Sequence, residues 1–156
     1  MSLEATITDL KSKIGTETHV GPWLTITQER INQFAEATGD TQWIHTDVNR
    51  AATTTPFGST IAHGYLTLSL IPYLTESVKD DGFPYPGVVM GINYGTNKVR
   101  FPNPVKTGSK VRSRTELLSF EEVKGGLQIV NKVTIEIEGE PKPACVAETV
   151  TRLLFG

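Results

Sequence analysis

Beyond about residue 87 the chain alternates between apolar and polar positions, whereas before about residue 80 its apolar residues recur at helical spacing. Val133, Ile135 and Ile137 alternate with Lys132, Thr134, Glu136 and Glu138, which gives a strand one dry and one wet face. The same reading predicts strands over 88–93, 98–101, 110–123, 127–137 and 144–154. Lys124-Gly125-Gly126 predicts a hairpin turn and Gly139-Glu140-Pro141 a second short connection. Connections this short favour an antiparallel sheet.

In the first half, Thr27 predicts a helix start. Its hydroxyl can accept from a free amide of the first turn, Glu29 suits the positive end of the dipole, and Ile26 and Ile31 occupy staple positions. Ile31, Phe34 and Ala35 then share one face, and Gly39 supplies a left-handed stop. Asp40 therefore falls just past a helix end, in a loop that leads to His45. Asp47 can cap a short helix over 48–52. The stretch 60–77 carries Ile61, Ala62, Leu66, Leu68, Leu70, Ile71 and Leu74 on nearly every side. It predicts one buried helix, kinked where Pro72 removes a donor. A buried helix followed by an antiparallel sheet is an α+β arrangement, and a sheet wrapped around that helix buries both. The stretch before Trp23 is weakly patterned, and His19 within it carries no signal.

The 156 residues fit a single domain over 1–156, able to bury roughly two-thirds of its unfolded surface. A hydrophobic fraction of 38% with 21% charged residues is ordinary for a globular protein. Fifteen Lys plus Arg stand against seventeen Asp plus Glu, a formal charge of -2 with no block of one sign. That argues against nucleic acid or an anionic membrane as partner. Cys145 is the only cysteine, which excludes an internal disulfide and a four-cysteine zinc site. Three scattered histidines give no metal-ligand spacing. No signal-peptide pattern and no apolar run of about 20 residues is present, so a cytoplasmic location is expected.

Asp40 and His45 place a carboxylate and an imidazole five residues apart in one loop, close enough to meet at one water or substrate atom. At ordinary pKa values of about 3.9 and 6.5, Asp40 is ionised and His45 mostly neutral near pH 7. The pair can therefore move protons. On spacing alone, a helix-capping aspartate and a structurally satisfied histidine remain the commoner explanation.

The run from Ala37 to His45, followed by Phe57-Gly58-Ser59-Thr60-Ile61-Ala62-His63-Gly64-Tyr65-Leu66, resembles the signature of MaoC-like (R)-specific enoyl-CoA hydratases. Asn97 to Val105 is similar to the strand those proteins carry after the central helix. The resemblance extends over roughly 23–154 and favours the nodulation-protein-N-like branch. It implies a hotdog fold, commonly a homodimer, that reversibly hydrates trans-2-enoyl-CoA to 3-hydroxyacyl-CoA. No cofactor or metal is implied, since coenzyme A is part of the substrate. Asp40 and His45 fall on the family's catalytic dyad, and Gly64 falls where a backbone amide faces the thioester oxygen. Such an amide would stabilise the enolate-like charge of the transition state by on the order of 3 kcal/mol.

Gln42 and Trp43 stand where the family motif carries Asn and Pro, so a substrate-positioning amide is longer by one methylene and Trp43 either narrows the acyl tunnel or packs on the surface. His63 is expected to secure the loop that aims the Gly64 amide. Ser69 could point toward the dyad, although bonding back to its own helix is commoner. Arg100 and Lys98 could reach coenzyme A phosphates. Two other readings stay open, a hotdog thioesterase and a non-catalytic acyl-thioester binding module. The first is disfavoured because the central helix offers only Glu76 as a carboxylate. A purely structural dimerisation domain leaves the polar loop unexplained.

Overall fold

Alternation in the second half of the chain becomes four long antiparallel strands in the computed structural model, which describes residues 3–78 and 82–156. In chain order the elements are α1 (Leu3–Lys13), β1 (Glu17–Val20), β2 (Leu24–Thr25), α2 (Gln28–Thr38), α3 (Trp43–Thr46) and α4 (Val48–Thr54). There follow α5 (Gly64–Ser69), α6 (Ile71–Leu74), β3 (Val88–Arg100), β4 (Lys110–Val123), β5 (Gly126–Ile137) and β6 (Cys145–Phe155). The strands form one sheet in the order β1-β4-β5-β6-β3, with β2 also pairing to β4.

Register decides which face is dry. Val111 pairs with Ile137, Val133 with Ala147 and Ile135 with Cys145, and all six are buried. Leu66, Leu70, Ile71 and Leu74 of the helical segment cluster with these residues. Leu10 of α1 packs with Leu117, Leu127, Ile129 and Leu153 in a second apolar group. Leu10 and Leu74 are both fully buried, each worth about 1.5–3 kcal/mol of transfer free energy. The Lys124-Gly125 turn closes β4 onto β5 where Val123 meets Gly126. Gly125 takes φ 83°, a region that favours glycine.

The caps form as expected. Thr27 Oγ1 accepts from the Arg30 amide at 3.2 Å, and Gly39 ends α2 at φ 79° while donating to the Ala35 carbonyl. Asp47 accepts from the Arg50 amide at 3.0 Å and starts α4. Cys145 is buried, and burial pushes its thiol up to about 11, which makes it inert. No helix among the described residues is long and apolar enough to cross a membrane.

Three expectations need correction. The single buried helix over 60–77 is two short helices. Residues 60–63 run extended, with Ile61 bridging to Lys106 and the Ala62 amide donating to the Val105 carbonyl at 2.7 Å. Pro72 then starts α6 rather than kinking a continuous helix. It has no N–H for the Leu68 carbonyl, and its ring crowds that position. The flanks of this segment are also open, with Tyr65 71% and Tyr73 56% exposed.

The two strands expected over 88–93 and 98–101 are one strand, β3. Its register slips between Val88 and Met90, Asn93 and Gly95, and Thr96 and Val99. Those slips erase the period of two that alternation depends on. Finally, α1 and β1 lie in the stretch read as weakly patterned. Leu3, Ile7 and Leu10 do hold helical spacing there and pack together, whereas β1 has no dry face to betray it.

Candidate active site

The site begins where α2 stops. The left-handed turn at Gly39 throws Asp40 out of the helix, and its side chain remains half exposed, at 51%. Asp40 Oδ1 accepts a long bond from the Gln42 amide at 3.4 Å. The four residues of α3 then carry His45 inward until only 7% of it is exposed.

The Nδ1–H of His45 donates to the Ile61 carbonyl at 2.7 Å. A carbonyl can only accept, so in the neutral ring the proton sits on Nδ1 and Nε2 keeps a free lone pair. Burial pushes the pKa of His45 below its ordinary 6.5. The Ile61 carbonyl opposes that shift, the neighbouring His63 adds to it, and Asp40 opposes it. The outcome is an imidazole that is neutral, and so able to take a proton, near pH 7.

His63 stacks on His45 with ring centroids 3.8 Å apart and planes 24° apart. The Phe34 ring of α2 lies 4.9 Å from that of His63, tilted by 56°. The Nε2–H of His63 donates to the Asp40 backbone carbonyl at 2.8 Å. His63 thus fastens the Asp40 loop to the residue before Gly64, the securing role expected of it. Its Nδ1 is buried without a hydrogen-bond partner among the described residues.

One carboxylate oxygen of Asp40 and one nitrogen each of His45 and His63 lie within 4.8 Å of one another. A water making two ordinary bonds spans about 4.6 Å, so carboxylate and imidazole are near enough to share one. The same three groups are close enough to meet a metal ion. One nitrogen of each ring is already committed to a carbonyl. The free Nε2 of His45 leaves the arrangement able to move protons.

Gly64 opens α5, so its N–H lies outside the intrahelical ladder. A Cβ at Gly64 would meet the Phe101 ring at 3.0 Å, so Phe101 packs directly against this residue. Phe101 is 41% exposed and meets Tyr65 edge-on at 6.1 Å.

Among the other candidates, Gln42 reaches this cluster through its backbone amide, which donates to Asp40. Gln42 is exposed and precedes α3 without making a side-chain cap. Trp43 carries the Arg50 guanidinium 4.0 Å above its ring; it packs at the surface, because residues two apart on a helix point to opposite sides. Ser69 donates to the Leu66 carbonyl at 2.8 Å, back onto its own helix. Arg100 is exposed and donates to the Val99 carbonyl at 2.7 Å. Glu76 pairs with His19 at 2.9 Å. Sequence reasoning missed Phe101, whose contact with Gly64 spans 37 positions of chain, and the Ile61 carbonyl, since a backbone acceptor carries no residue signal.

Residues 9–139 match the MaoC-like domain family. The chain belongs to that family. This MaoC-like protein is 48% identical over 147 residues to 3-hydroxyacyl-thioester dehydratase Z of Mycobacterium tuberculosis, with 94% of each chain covered. It is 44% identical to nodulation protein N of Rhizobium leguminosarum over 155 residues, 97% of this chain and 93% of that one. Among solved structures, the R-hydratase PhaJ1 of Pseudomonas aeruginosa superposes with a TM-score of 0.70 at 26% identity. That match covers 92% of this MaoC-like chain and 83% of the other. The α+β fold is therefore the hotdog fold, and the protein is a lyase of the hydratase/dehydratase class.

Proposed function

We propose that this MaoC-like enzyme catalyses the (R)-specific, reversible hydration of trans-2-enoyl-CoA to 3-hydroxyacyl-CoA, with Asp40 and His45 as its acid/base dyad. The observation that carries the reading is the approach of the Asp40 carboxylate and the His45 imidazole to within 4.8 Å, near enough for both to act on one water. The pinned Nδ1–H of His45 leaves Nε2 as the basic nitrogen. In the forward reaction a C–O bond forms at the β-carbon as that water loses a proton to the pair. A proton from the pair arrives at the α-carbon, so the pair returns to its starting charge. The Gly64 amide donates to the thioester oxygen while charge develops there.

The protein's own residues supply this chemistry, and the only coenzyme involved is the one that carries the acyl chain. The exposed apolar edge of β3 supports a homodimer as the working form.

Mixing the protein with a short trans-2-enoyl-CoA and following loss of the enoyl absorbance tests the reading, alongside Asp40→Asn and His45→Gln. Loss in the wild type that falls by about 10²–10⁴-fold in both folded variants is the expected result. Release of free thiol in place of hydration indicates a thioesterase. An unchanged rate in either variant removes that residue from the dyad.

A further inference from the structure

We infer that Gln28, held by Thr60, is the positioning residue of His45. This inference rests on His45 being a member of the dyad. Its basis is a hydrogen-bond circuit that joins three separate segments of the chain.

The need for such a circuit follows from the size of α3. A four-residue helix holds its backbone with very few bonds of its own; here the His45 amide donates to the Gln42 carbonyl at 3.0 Å and the Asp47 amide to Trp43 at 3.0 Å. The carbonyl of His45 lies in the last turn, so no intrahelical amide reaches it. Gln28, the first residue of α2, supplies the missing donor: its Nε2 donates to the His45 carbonyl at 2.7 Å and to Asn32 Oδ1 at 2.9 Å. The orientation of this amide group is fixed by chemistry, because a carbonyl can only accept. Gln28 Oε1 therefore faces the other way, where it accepts from the hydroxyl of Thr60.

Thr60 is completely buried and adjoins Ile61, whose carbonyl accepts from His45 Nδ1 at 2.7 Å. The Ile61 amide donates back to Ile44 at 3.1 Å. His45 is thus gripped at its ring and at its backbone by two ends of one network. The ring end sets the tautomer, and the backbone end sets where α3 stands. Neither Gln28 nor Thr60 contacts the ring of His45 in this network, so their effect on turnover passes through placement. Displacement of a catalytic group by about 1 Å can cost on the order of 100-fold in rate.

The experiment measures kcat and KM for trans-2-enoyl-CoA hydration, with thermal unfolding, for Gln28→Met, Thr60→Val, Thr60→Ser, the Gln28→Met/Thr60→Val double variant and His45→Gln. We expect Gln28→Met to lower kcat by about 10- to 100-fold with KM within about twofold and the unfolding temperature nearly kept. Thr60→Val should do the same, Thr60→Ser should recover most of the loss because the hydroxyl returns, and the double variant should be no worse than Gln28→Met alone. The His45 ring resonances in an NMR spectrum should also shift in Gln28→Met, a readout independent of turnover.

Wild-type kcat in folded Gln28→Met, or fully additive losses in the double variant, overturns the inference. Should Gln28→Met not fold, the contrast between Thr60→Val and Thr60→Ser decides it alone: equal kcat in the two overturns it. If His45→Gln itself keeps its rate, the dyad assignment is what fails, and the His45 resonances still report whether Gln28 places the ring.

Discussion

His45 and His63 lie face to face, with ring centroids 3.8 Å apart and planes 24° apart, one ring donating to the Ile61 carbonyl and the other to the Asp40 carbonyl. A second imidazole this close discourages charge on His45. Burial first, and the second ring with it, holds His45 below its ordinary pKa. The basic form is the neutral one, so kcat/KM is expected to rise with pH through an acid limb whose midpoint lies below 6.5. His63→Gln keeps an amide donor for the Asp40 carbonyl but removes the like-charge neighbour, and it should move that limb to higher pH. A pH profile of kcat/KM from 5 to 8 for both proteins checks this. A wild-type midpoint at or above 6.5 contradicts the dominance of burial.

The same shift has a consequence for stability, and its sign is fixed. The folded pKa of His45 is below the unfolded value, so the unfolded chain binds more protons as the pH falls through about 6.5. The contribution of His45 is therefore fully present above that pH and is lost as the pH drops toward its folded value. Urea midpoints measured between pH 5 and 7.5 should fall on the acid side in the wild type, and less steeply in His45→Gln.

Gly64 and Phe101 form the next coupled pair. Alanine at 64 strains nothing in the backbone of a helix start, but its Cβ meets the Phe101 ring at 3.0 Å. Gly64→Ala is expected to lower hydration by about 10-fold or more by displacing the amide or the ring from the thioester. Phe101→Val combined with it relieves the contact and should recover part of the rate. Additive losses in the double variant show that the two positions act separately.

Much of this architecture can be read in advance where one residue type does one local job. Thr27 and Gly39 bracket α2, Asp47 begins α4, and the alternation through Val133, Ile135 and Ile137 marks β5. Asp40, His45, His63 and Gly64 are legible through motif resemblance, and the fold does bring the two imidazoles and the carboxylate together. What stays hidden is set by tertiary contacts. The bulges of β3 follow its pairing with β6, and Gln28 looks like any polar residue at a helix start until Thr60 and His45 arrive beside it.

Gln42 offers a gain of stability. It precedes α3 in extended conformation, φ -53° and ψ 136°, yet its side chain makes no cap. Asn is among the favoured cap residues and one methylene shorter, so its oxygen can reach back to the first-turn amides. Gln42→Asn is expected to stabilise the protein by about 0.5–1 kcal/mol, read as a higher urea midpoint at unchanged slope. A midpoint at or below that of the wild type shows that the exposed Gln42 amide makes contacts worth more than the cap.

The last expectation concerns β3. Among the described residues this strand pairs with β6 alone and lies at the end of the sheet. Val89 is 64%, Met90 50%, Ile92 41% and Tyr94 57% exposed. A long, apolar, unpaired edge is a template for another strand, and proteins that remain monomeric blunt such edges with charge. Here the apolar part, 88–94, carries none. Light scattering on a sizing column at low micromolar concentration should therefore give a mass of twice the 17.1 kDa chain. Met90→Lys/Ile92→Lys should shift that mass toward the monomer, because two ammonium groups would have to be desolvated on pairing. A wild-type monomer removes the edge as an interface, and a dimer unaffected by both lysines transfers the contact to another face, such as that of Tyr65 and Tyr73.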